Sequence, residues 1–390
     1  MITARKKIAY ASPLRPQASG VSDYSEELLP HLARHLDLTL VTDNITPTNP
    51  ALAAFPKIDL RELNARAKSF DAIVYHIGNA PLYANFFNTS FQIPGVIVLH
   101  DVVLHHLRAW QTIERGNAAA YIEALRAAYG ETIAAQAQEN PASINRFEFP
   151  LSEAVIQNAR GVIVHSAYAA RFAQHTAPAV PIANVPMGIP PVPAIANSEA
   201  RARLNFNADT FIVSAFGEVH PHKRITVALE AFAEFFKQHA NARLLLIGAE
   251  SPNYDVATML HALDITHAVQ RIGFVPMETY RDYIAASDVC LNLRYPSAGE
   301  TSASLLRLLG AGKVAFVTRT AAYAELPDNV CVKIEPDAHE KNLLVEYLEY
   351  FFARPDARES IGSNARAFVA QHHTLEQTAQ AYADFFNSKF

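Results

Sequence analysis

The chain has 390 residues, and at about 150 residues per domain this length predicts two domains or one large composite core, which excludes a mini-domain. Half of the residues are apolar and 18% are charged, so the chain can fill large cores and a mainly disordered protein is excluded. The net charge of −5 and the lack of a long basic block disfavour a nucleic-acid-binding protein and leave a small anionic ligand open.

The two cysteines and the lengths of the apolar runs indicate the cellular compartment of the protein. Cys290 and Cys331 lie in β-like apolar runs and are too few for a disulfide framework or a structural zinc site, which indicates a reducing compartment. We therefore expect the cytoplasm. The apolar stretch at residues 8–11 is too short for a secretory signal, and no window approaches the roughly 20 apolar residues that span a bilayer. No targeting or membrane-spanning segment is predicted, and peripheral membrane contact stays open.

The first half of the chain has the pattern of a βα repeat. An apolar strand at residues 8–11 is followed by a Pro/Ser/Gly loop, a helical pattern over 22–35 and a strand at 38–41, which is a βαβ unit. Three more buried strands are predicted, at residues 72–75, 96–99 and 161–164. The Pro-rich stretch 185–193 cannot form a regular helix or a central strand, and we interpret it as the interdomain linker.

The second half repeats this pattern. A strand at residues 211–216 is followed by a loop at 217–223, a helix over 224–238 and a strand at 243–247. Further strands are predicted at residues 268–272, 289–293 and 314–317. The fold class is therefore α/β, with two Rossmann-like domains at 1–188 and 194–374, a cleft between them, and a helix over 375–390 that packs back on the first domain. Ligands of such sheets lie outside the carboxyl ends of the strands.

The loop between the first strand and the first helix is a candidate acceptor or phosphate loop. Gly20 precedes a helix N-terminus, where backbone N–H groups and the helix dipole attract an anion, and Asp23 and Tyr24 follow it. The alternative is a solvent loop in which Asp23 caps the helix with Glu26 three residues later. The loop lacks the full G-x-G-x-x-G pattern, so a dinucleotide site is not supported.

His100 and Asp101 directly follow the strand at residues 96–99 and are candidate catalytic residues. A histidine at this place can hydrogen-bond a sugar hydroxyl or orient a substrate, and the neighbouring carboxylate can fix its tautomer. The alternative is a structural histidine. His105 and His106 are interpreted as surface or packing residues, because no His, Cys and carboxylate set has convincing metal spacing, and no metal site is predicted.

The loop at residues 217–224 opens the second domain and carries two adjacent cations. Gly217 begins it, and Lys223 and Arg224 put positive charge and free N–H groups at the start of a helix, which suits a diphosphate. Cations at a helix N-terminus are unfavourable without an anion, which argues for a ligand. The alternative is a solvated basic pair.

The loop at residues 294–304 collects polar groups at the start of another helix. Glu300, Thr301 and Ser302 lie in the loop that precedes an apolar helix predicted at residues 305–309, so a carboxylate, hydroxyls and a helix N-terminus lie within one turn. This surface could hold sugar hydroxyls and phosphate oxygens together.

These loops resemble the motifs of the retaining glycosyltransferases of family 4. The architecture of that family, with two Rossmann-like domains, is called GT-B. The resemblance covers nearly the whole chain and is most specific in its second half. The segments that carry it are residues 12–24, 164–166, 186–189, 273–275, 280–289, 296–300 and 310–313.

The resemblance implies a hexosyltransferase that acts in polysaccharide biosynthesis and retains the anomeric configuration. It implies a UDP- or GDP-linked sugar donor held mainly by the second domain and a sugar, glycan or lipid-linked glycan acceptor held mainly by the first. By resemblance, Lys223 serves the donor diphosphate, Glu300 the donor sugar and His100 the sugar near the reacting centre. Other donor-binding candidates are Gly217, Arg224, Thr301, Ser302 and Ala303. Such enzymes usually need no metal and no cofactor beyond the donor.

Two departures from the family pattern keep a second function open. The family commonly has a second glutamate eight positions after the first, where this chain has Leu308, next to Arg307. The family also often has an arginine directly after the glycine of the second-domain loop, where this chain has Glu218. The alternative is therefore a nucleotide-sugar-binding or scaffolding protein without turnover. An epimerase or phosphorylase would need a further carboxylate or cofactor-lysine signature, which the sequence does not show.

Overall fold

Two separate parallel sheets organise the chain. The computed structural model describes residues 5–390; residues 1–4, which the predicted first domain includes, lie outside the described residues. The first compact unit comprises the described residues up to Pro190 together with Ala298–Thr301 and Thr374–Phe390, and the second comprises Pro191–Ser297 and Ser302–His373. Two parts of the predicted second domain, residues 298–301 and Thr374, pack within the first unit instead.

The first unit is built on a seven-stranded sheet of order β3-β2-β1-β4-β5-β6-β7, in which every neighbouring pair is parallel. Its strands are β1 Lys7–Ala11, β2 Asp37–Thr42, β3 Lys57–Asp59, β4 Ala72–Ile77, β5 Val96–Leu99, β6 Gly161–Val164 and β7 Ile182–Asn184. Its helices are α1 Gly20–Leu32, α2 Leu63–Arg66, α3 Ala84–Gln92, α4 His105–Gln111, α5 Ala118–Tyr129, α6 Glu131–Glu139, α7 Glu153–Gln157 and α8 Ala167–Thr176. The central strands are buried on both faces, which explains their unbroken apolar runs.

The second unit is built on a six-stranded parallel sheet of order β10-β9-β8-β11-β12-β13. Its strands are β8 Phe211–Phe216, β9 Ala242–Ile247, β10 Val269–Gly273, β11 Val289–Asn292, β12 Val314–Thr318 and β13 Val332–Ile334. Its helices are α9 Asn197–Arg203, α10 Ile225–Phe236, α11 Val256–Ala262, α12 Met277–Ala286, α13 Ala303–Gly310, α14 Glu340–Ala353 and α15 Pro355–His372. Alternate side chains of one strand serve opposite cores: Val213 packs with α10 and α14, while Ile212 packs with α12 and α13.

The last helix, α16 Leu375–Lys389, belongs to the first unit although the chain reaches it from the second. It packs against α1, where His31 Nδ1 lies 3.1 Å from a carboxylate oxygen of Glu376, and the hydroxyls of Tyr24 and Tyr382 are 3.3 Å apart. Thr378 donates a hydrogen bond to the carbonyl of Pro186. The helix thus completes the core of the first unit.

Candidate functional site

Both sheets change winding direction once, and the loops that begin with Ser12 and Gly217 leave the strands at these two points. In the first sheet the chain runs from β1 outward to β3 and then crosses to β4 on the other side of β1; in the second it runs from β8 to β10 and then crosses to β11. At such a switch point the loops leaving the two central strands separate, which opens a crevice at the carboxyl ends. The crevice of the first unit lies after β1 and β4, and that of the second after β8 and β11.

In the second unit, the loops that follow β8 and β11 are joined. The Tyr295 N–H donates to the carbonyl of His222 over 2.8 Å, which links the loop after β11 to the loop after β8. Gly217 has a positive φ of 110°, and a side chain there would meet open space, with nothing within 4 Å of a Cβ. The backbone of this loop therefore faces space that a ligand can fill.

Lys223 and Arg224 are adjacent but have different environments. Arg224 forms an ion pair with Glu340 at the start of α14, with Arg224 Nε 3.0 Å from Oε2, and this hydrogen bond raises the pKa of the arginine. The Glu340 side chain is almost wholly buried. The sequence-based argument that both cations need an anionic ligand is therefore wrong for Arg224, since a carboxylate of the same unit already neutralises it.

Lys223 lines a cavity of about 10 Å³ together with Gly217 and Asn292. A space of this size holds about one water molecule, so a diphosphate would have to lie over the loop and not inside this cavity. The lysine ends a short 3₁₀ turn, Pro221–Lys223, whose N-cap is His220. This turn holds Lys223 at the carboxyl end of β8.

The hydroxyl of Ser302 caps α13. Ser302 Oγ accepts a hydrogen bond from the N–H of Leu305 over 3.2 Å, and Ala303 is the first residue of the helix. The predicted donor-binding hydroxyl is thus engaged in helix capping, as Ser, Thr, Asp and Asn commonly are. Leu308, on the same helix, is fully buried and packs in the core beside α12, so its position offers no polar group to a ligand.

In the first unit, the loop after β1 differs in detail from both sequence-based interpretations. Ser19 caps α1 by accepting from the Ser22 N–H over 3.0 Å, so the prediction that Asp23 caps this helix is wrong. Asp23 forms an ion pair with Arg15 over 2.7 Å, and Glu26 accepts from the Arg15 N–H. Gly20 begins the helix, and a Cβ there would have nothing within 4 Å. The helix start is therefore open, while the Asp23 carboxylate already has a cationic partner.

Tyr24 is a core residue and not a loop residue. It is 2% exposed, and its ring lies 5.6 Å from that of His100 and 5.3 Å from that of His165, centroid to centroid. Burial raises the pKa of its phenol. The prediction that Tyr24 belongs to the ligand-facing part of the loop is at odds with this position. Tyr24 lies within α1, on the side of the helix that packs against the sheet.

His100 is held by another histidine. Its Nε2 lies 2.9 Å from Nδ1 of His76, a residue inside β4, and the two rings stack with centroids 5.1 Å apart. Burial, and after it the proximity of His76 and His165, lowers the pKa of His100 well below its ordinary value, so the ring is neutral at pH 7. A neutral imidazole has one donor and one acceptor nitrogen, which suits a sugar hydroxyl.

The Asp101 carboxylate accepts a hydrogen bond from the N–H of Asn79 over 2.8 Å. The group that hydrogen-bonds His100 Nε2 is His76, so the structure does not support the prediction that Asp101 sets the tautomer of His100. Asp101 instead ties the loop after β5 to the loop after β4, across the pair of neighbouring strands.

The segment Ala298–Thr301 brings Glu300 into the unit that holds His100. The Val103 N–H donates to the carbonyl of Ala298 over 2.9 Å, and Thr301 donates to the carbonyl of His165 over 3.4 Å. Gly299 between them has a φ of 80°, and a Cβ there would lie 2.7 Å from Val102. Glu300 is therefore fixed on both sides at the carboxyl ends of β5 and β6.

Comparison with solved structures gives chains of the same architecture along almost their whole length. Sucrose-phosphate synthase from Thermosynechococcus elongatus aligns with a TM-score of 0.70 and 18% identity, over 98% of this chain and 99% of that one. Anabaena HepE in complex with UDP and glucose aligns with 0.70 and 15%, over 98% and 100%. WaaG, a glycosyltransferase involved in lipopolysaccharide biosynthesis, aligns with 0.66 and 16%, over 97% and 99%.

The chain has the GT-B fold. The sequence-based prediction of the fold class is thereby confirmed. Residues 223–384 also match a family model described as glycosyl transferase-like, a range that begins at Lys223 and includes Glu300 and α13. Among curated proteins, none matches the sequence.

Two properties of this GT-B chain bear on metals and membranes. Within residues 5–390, no group of three or more His, Cys, Asp or Glu side chains is arranged to hold a metal ion. Over the same range, none of the helices combines the length and the apolar composition needed to cross a membrane.

Sequence reasoning missed two residues that hold candidate side chains in place: His76, the partner of His100, and Glu340, the partner of Arg224. His76 sits within the apolar run of β4, where a titratable residue in a buried strand was the available signal. Glu340 begins a helix 116 residues after Arg224, and nothing local marks it as the arginine's partner. Both are positioned by the sheet order and not by neighbouring residues.

Proposed function

We propose that this protein is a glycosyltransferase that moves a sugar from a UDP- or GDP-linked donor to a sugar, glycan or lipid-linked acceptor, with retention of configuration. The observation that carries the proposal is the family match over residues 223–384, because that range contains Lys223, Glu300 and the α13 N-terminus. Anabaena HepE, which shares the fold, forms a complex with UDP and glucose, and UDP-glucose is therefore the first donor to test.

In the proposed reaction, Lys223 and the N–H groups of the loop after β8 stabilise the diphosphate as the bond to the anomeric carbon breaks. Preorganised charge of this kind is commonly the largest contribution to catalysis. Glu300 accepts hydrogen bonds from two hydroxyls of the transferred sugar, and neutral His100 contacts the sugar near the reacting centre. We propose that the reaction needs no metal and no cofactor beyond the donor, so a chelator should leave the rate unchanged.

The experiment that tests the function is a panel of UDP- and GDP-sugars, scored for donor hydrolysis and for transfer to simple sugars. Glu300→Gln should weaken binding of the active nucleotide sugar about tenfold while binding of the free nucleotide stays nearly the same, because the carboxylate is lost only from the sugar contacts. Calorimetric titration of both ligands measures this. The exposed Glu346→Gln on α14 is the control. Equal weakening of both ligands would contradict the assignment of Glu300 to the sugar.

A second candidate function is nucleotide-sugar binding without turnover. It is favoured by fully buried Leu308, which stands where the family resemblance leads one to expect a ribose-binding glutamate. The same panel separates the two candidates: a nucleotide sugar that binds tightly but is neither hydrolysed nor transferred would support the second.

We also propose a cytoplasmic site of action, because Cys290 and Cys331 are both free and buried. A lipid-linked acceptor would bring the enzyme to a membrane surface by peripheral contact. Co-sedimentation of the protein with lipid vesicles tests that contact.

A further inference from the structure

A polar cavity of about 480 Å³ lies in the first unit, beside the crevice at the strand ends. Its lining comes from three segments: Asp43 directly after β2, the start of α3 after β4, and the end of α4 after β5. A cavity of this volume is within the range of small-molecule sites. The residues that follow these strands therefore form a pocket large enough for a sugar.

Most groups that line this cavity are planar and polar. Asp43 accepts from the side-chain amide of Asn85 over 2.8 Å, and the Gln111 amide bonds Asn88 over 3.0 Å. Carboxylates, amides and guanidinium groups can each bond two neighbouring hydroxyls at once, and an indole ring offers a flat apolar face. Trp110 supplies that ring, with the Arg115 guanidinium 3.9 Å from its centroid. This set of groups fits a carbohydrate.

Two arginines converge on the cavity without a carboxylate partner. Arg108 donates to the Gln111 side chain over 2.7 Å and lies over the Phe87 ring, and Arg115 lies over Trp110. Within the described residues 5–390, no carboxylate oxygen lies within 4.0 Å of a nitrogen of either arginine.

The neighbouring arginines of the same unit behave differently. Arg126 pairs with Glu123 and Glu131, and Arg146 pairs with Glu114, at distances of 2.6 to 2.8 Å.

Arg108 is partly buried, and burial lowers its pKa because the charged form loses water. A desolvated cation without a counter-ion is costly, and a planar guanidinium binds carboxylate or phosphate in a bidentate manner.

We propose that this cavity binds an anionic carbohydrate, a pyranose that bears a carboxylate or a phosphate, with Arg108 and Arg115 on the anionic group and Asp43 on hydroxyls. That this ligand is the acceptor of the transfer rests on the proposed function; the binding itself does not. The cavity then sets acceptor class by charge, and a neutral sugar binds it weakly.

The test uses the full chain without any donor and follows the fluorescence of Trp110, the single tryptophan. The probes are glucuronic acid and glucose 6-phosphate, which separate the two sources of negative charge, with glucose and inorganic phosphate as comparisons. We expect at least one anionic sugar to bind about tenfold more tightly than glucose and than inorganic phosphate, with an affinity that falls as salt rises. Equal affinity for glucose and both anionic sugars would overturn the proposal, and so would inorganic phosphate binding as tightly as the better sugar.

Two variants locate the site. Arg115→Gln, on an exposed side chain, should raise the dissociation constant of the bound probe about tenfold, and Arg108→Gln should do the same. Arg66→Gln, an exposed arginine of the same unit, is the matched control. Unchanged probe affinity in Arg115→Gln and in a thermally intact Arg108→Gln would overturn the assignment. Binding of the probe by a protein that transfers no sugar would refute the proposed function and leave this inference standing. Transfer to neutral sugars alone would refute the assignment of the bound sugar as the acceptor, and loss of the binding difference described above would refute the binding itself.

Discussion

At the scale of single residues, two adjacent cations of the loop after β8 have different physical situations. Arg224 is neutralised by Glu340, whose side chain is almost wholly buried, while Lys223 faces the loop backbone and Asn292. An ion pair of this kind is costly to break, because the remaining buried charge loses its partner. Substitution of Lys223 should therefore change nucleotide affinity, whereas substitution of Arg224 should change the stability of the fold.

Lys223→Ala should raise the dissociation constant of UDP or GDP about tenfold, because charge-assisted contacts to phosphate contribute about 1.5–3 kcal/mol. Arg224→Ala should instead lower the free energy of unfolding by about 3 kcal/mol, because it leaves Glu340 unpaired. Calorimetric titration measures the first change and urea denaturation the second. The diphosphate assignment fails if Lys223→Ala binds both nucleotides as tightly as the unaltered protein.

His100 is only 7% exposed and packs among His76, His165 and Tyr24. We expect His100→Ala to lower turnover about tenfold or more while nucleotide affinity, assigned to the second unit, is unchanged. Rates are measured well below the melting temperature of each variant.

The matched control for His100 is His105→Ala. His105 is a buried histidine of the same unit that bonds the Tyr121 hydroxyl and the carbonyl of Phe149. Its loss should lower stability and leave turnover intact. If both variants lose turnover in proportion to their stability, His100 is a packing residue.

At the scale of elements, the segment Ala298–Thr301 places Glu300, and Gly299 makes that placement possible. Gly299→Ala should lower turnover about tenfold or more, because the new Cβ would lie 2.7 Å from Val102 and the positive φ disfavours any side chain. Steady-state kinetics with the active donor measures the loss.

Gly130→Ala between α5 and α6 is the control for the backbone effect alone. Gly130 has a similar φ of 84°, but nothing lies within 4 Å of its added Cβ. With its ψ of −178°, Gly130 has a backbone conformation that side chains disfavour, and we expect about 1–3 kcal/mol of lost stability there, without a change in turnover. Equal turnover in both variants would show that the position of Glu300 does not depend on Gly299.

At the scale of the whole molecule, buried neutral histidines make the first unit sensitive to acid. Burial is the main cause that lowers the pKa of His76 and His100 well below 6.5 and that of His105 to about 4. In the unfolded chain these groups titrate near 6.5. Below that pH the unfolded state binds more protons than the folded state, so the free energy of unfolding falls as pH falls and is fully retained above about pH 7.

Between pH 7.5 and 5.5 we expect the urea midpoint of the first unit to drop, because the free energy of unfolding should fall by about 1 kcal/mol or more for each of the three histidines. Trp110 fluorescence reports this unit alone, because the chain has one tryptophan. His105→Phe should make the free energy of unfolding less dependent on pH, because one of the three histidines that bind a proton on unfolding is then absent. A midpoint that does not change with pH over this range would contradict the burial of neutral histidines.

Local sequence patterns were enough to predict the longer strands in their order along the chain and the loops at their carboxyl ends that carry the candidate residues. The predicted strands at 96–99, 161–164 and 211–216 have the observed bounds, because a strand buried on both faces needs an unbroken apolar run that is visible locally. The strands that escaped prediction, β3, β7 and β13, are three residues long and lie at sheet edges, where neither length nor burial leaves a pattern. The loop at residues 217–224 was predicted because a glycine and two charged residues lie close together just before a helical pattern.

Which of these polar groups have partners depends on the packing of distant segments. Glu340 neutralises Arg224 from 116 residues away, His76 holds His100 from 24 residues away, and Tyr24 meets Tyr382 across 358 residues. Residues 298–301 likewise pack in the first unit although their neighbours in sequence do not. Parallel sheets order their strands by crossovers, so the residues that meet at one edge are distant in the chain. No local pattern records such a pairing, because the sheet order sets it.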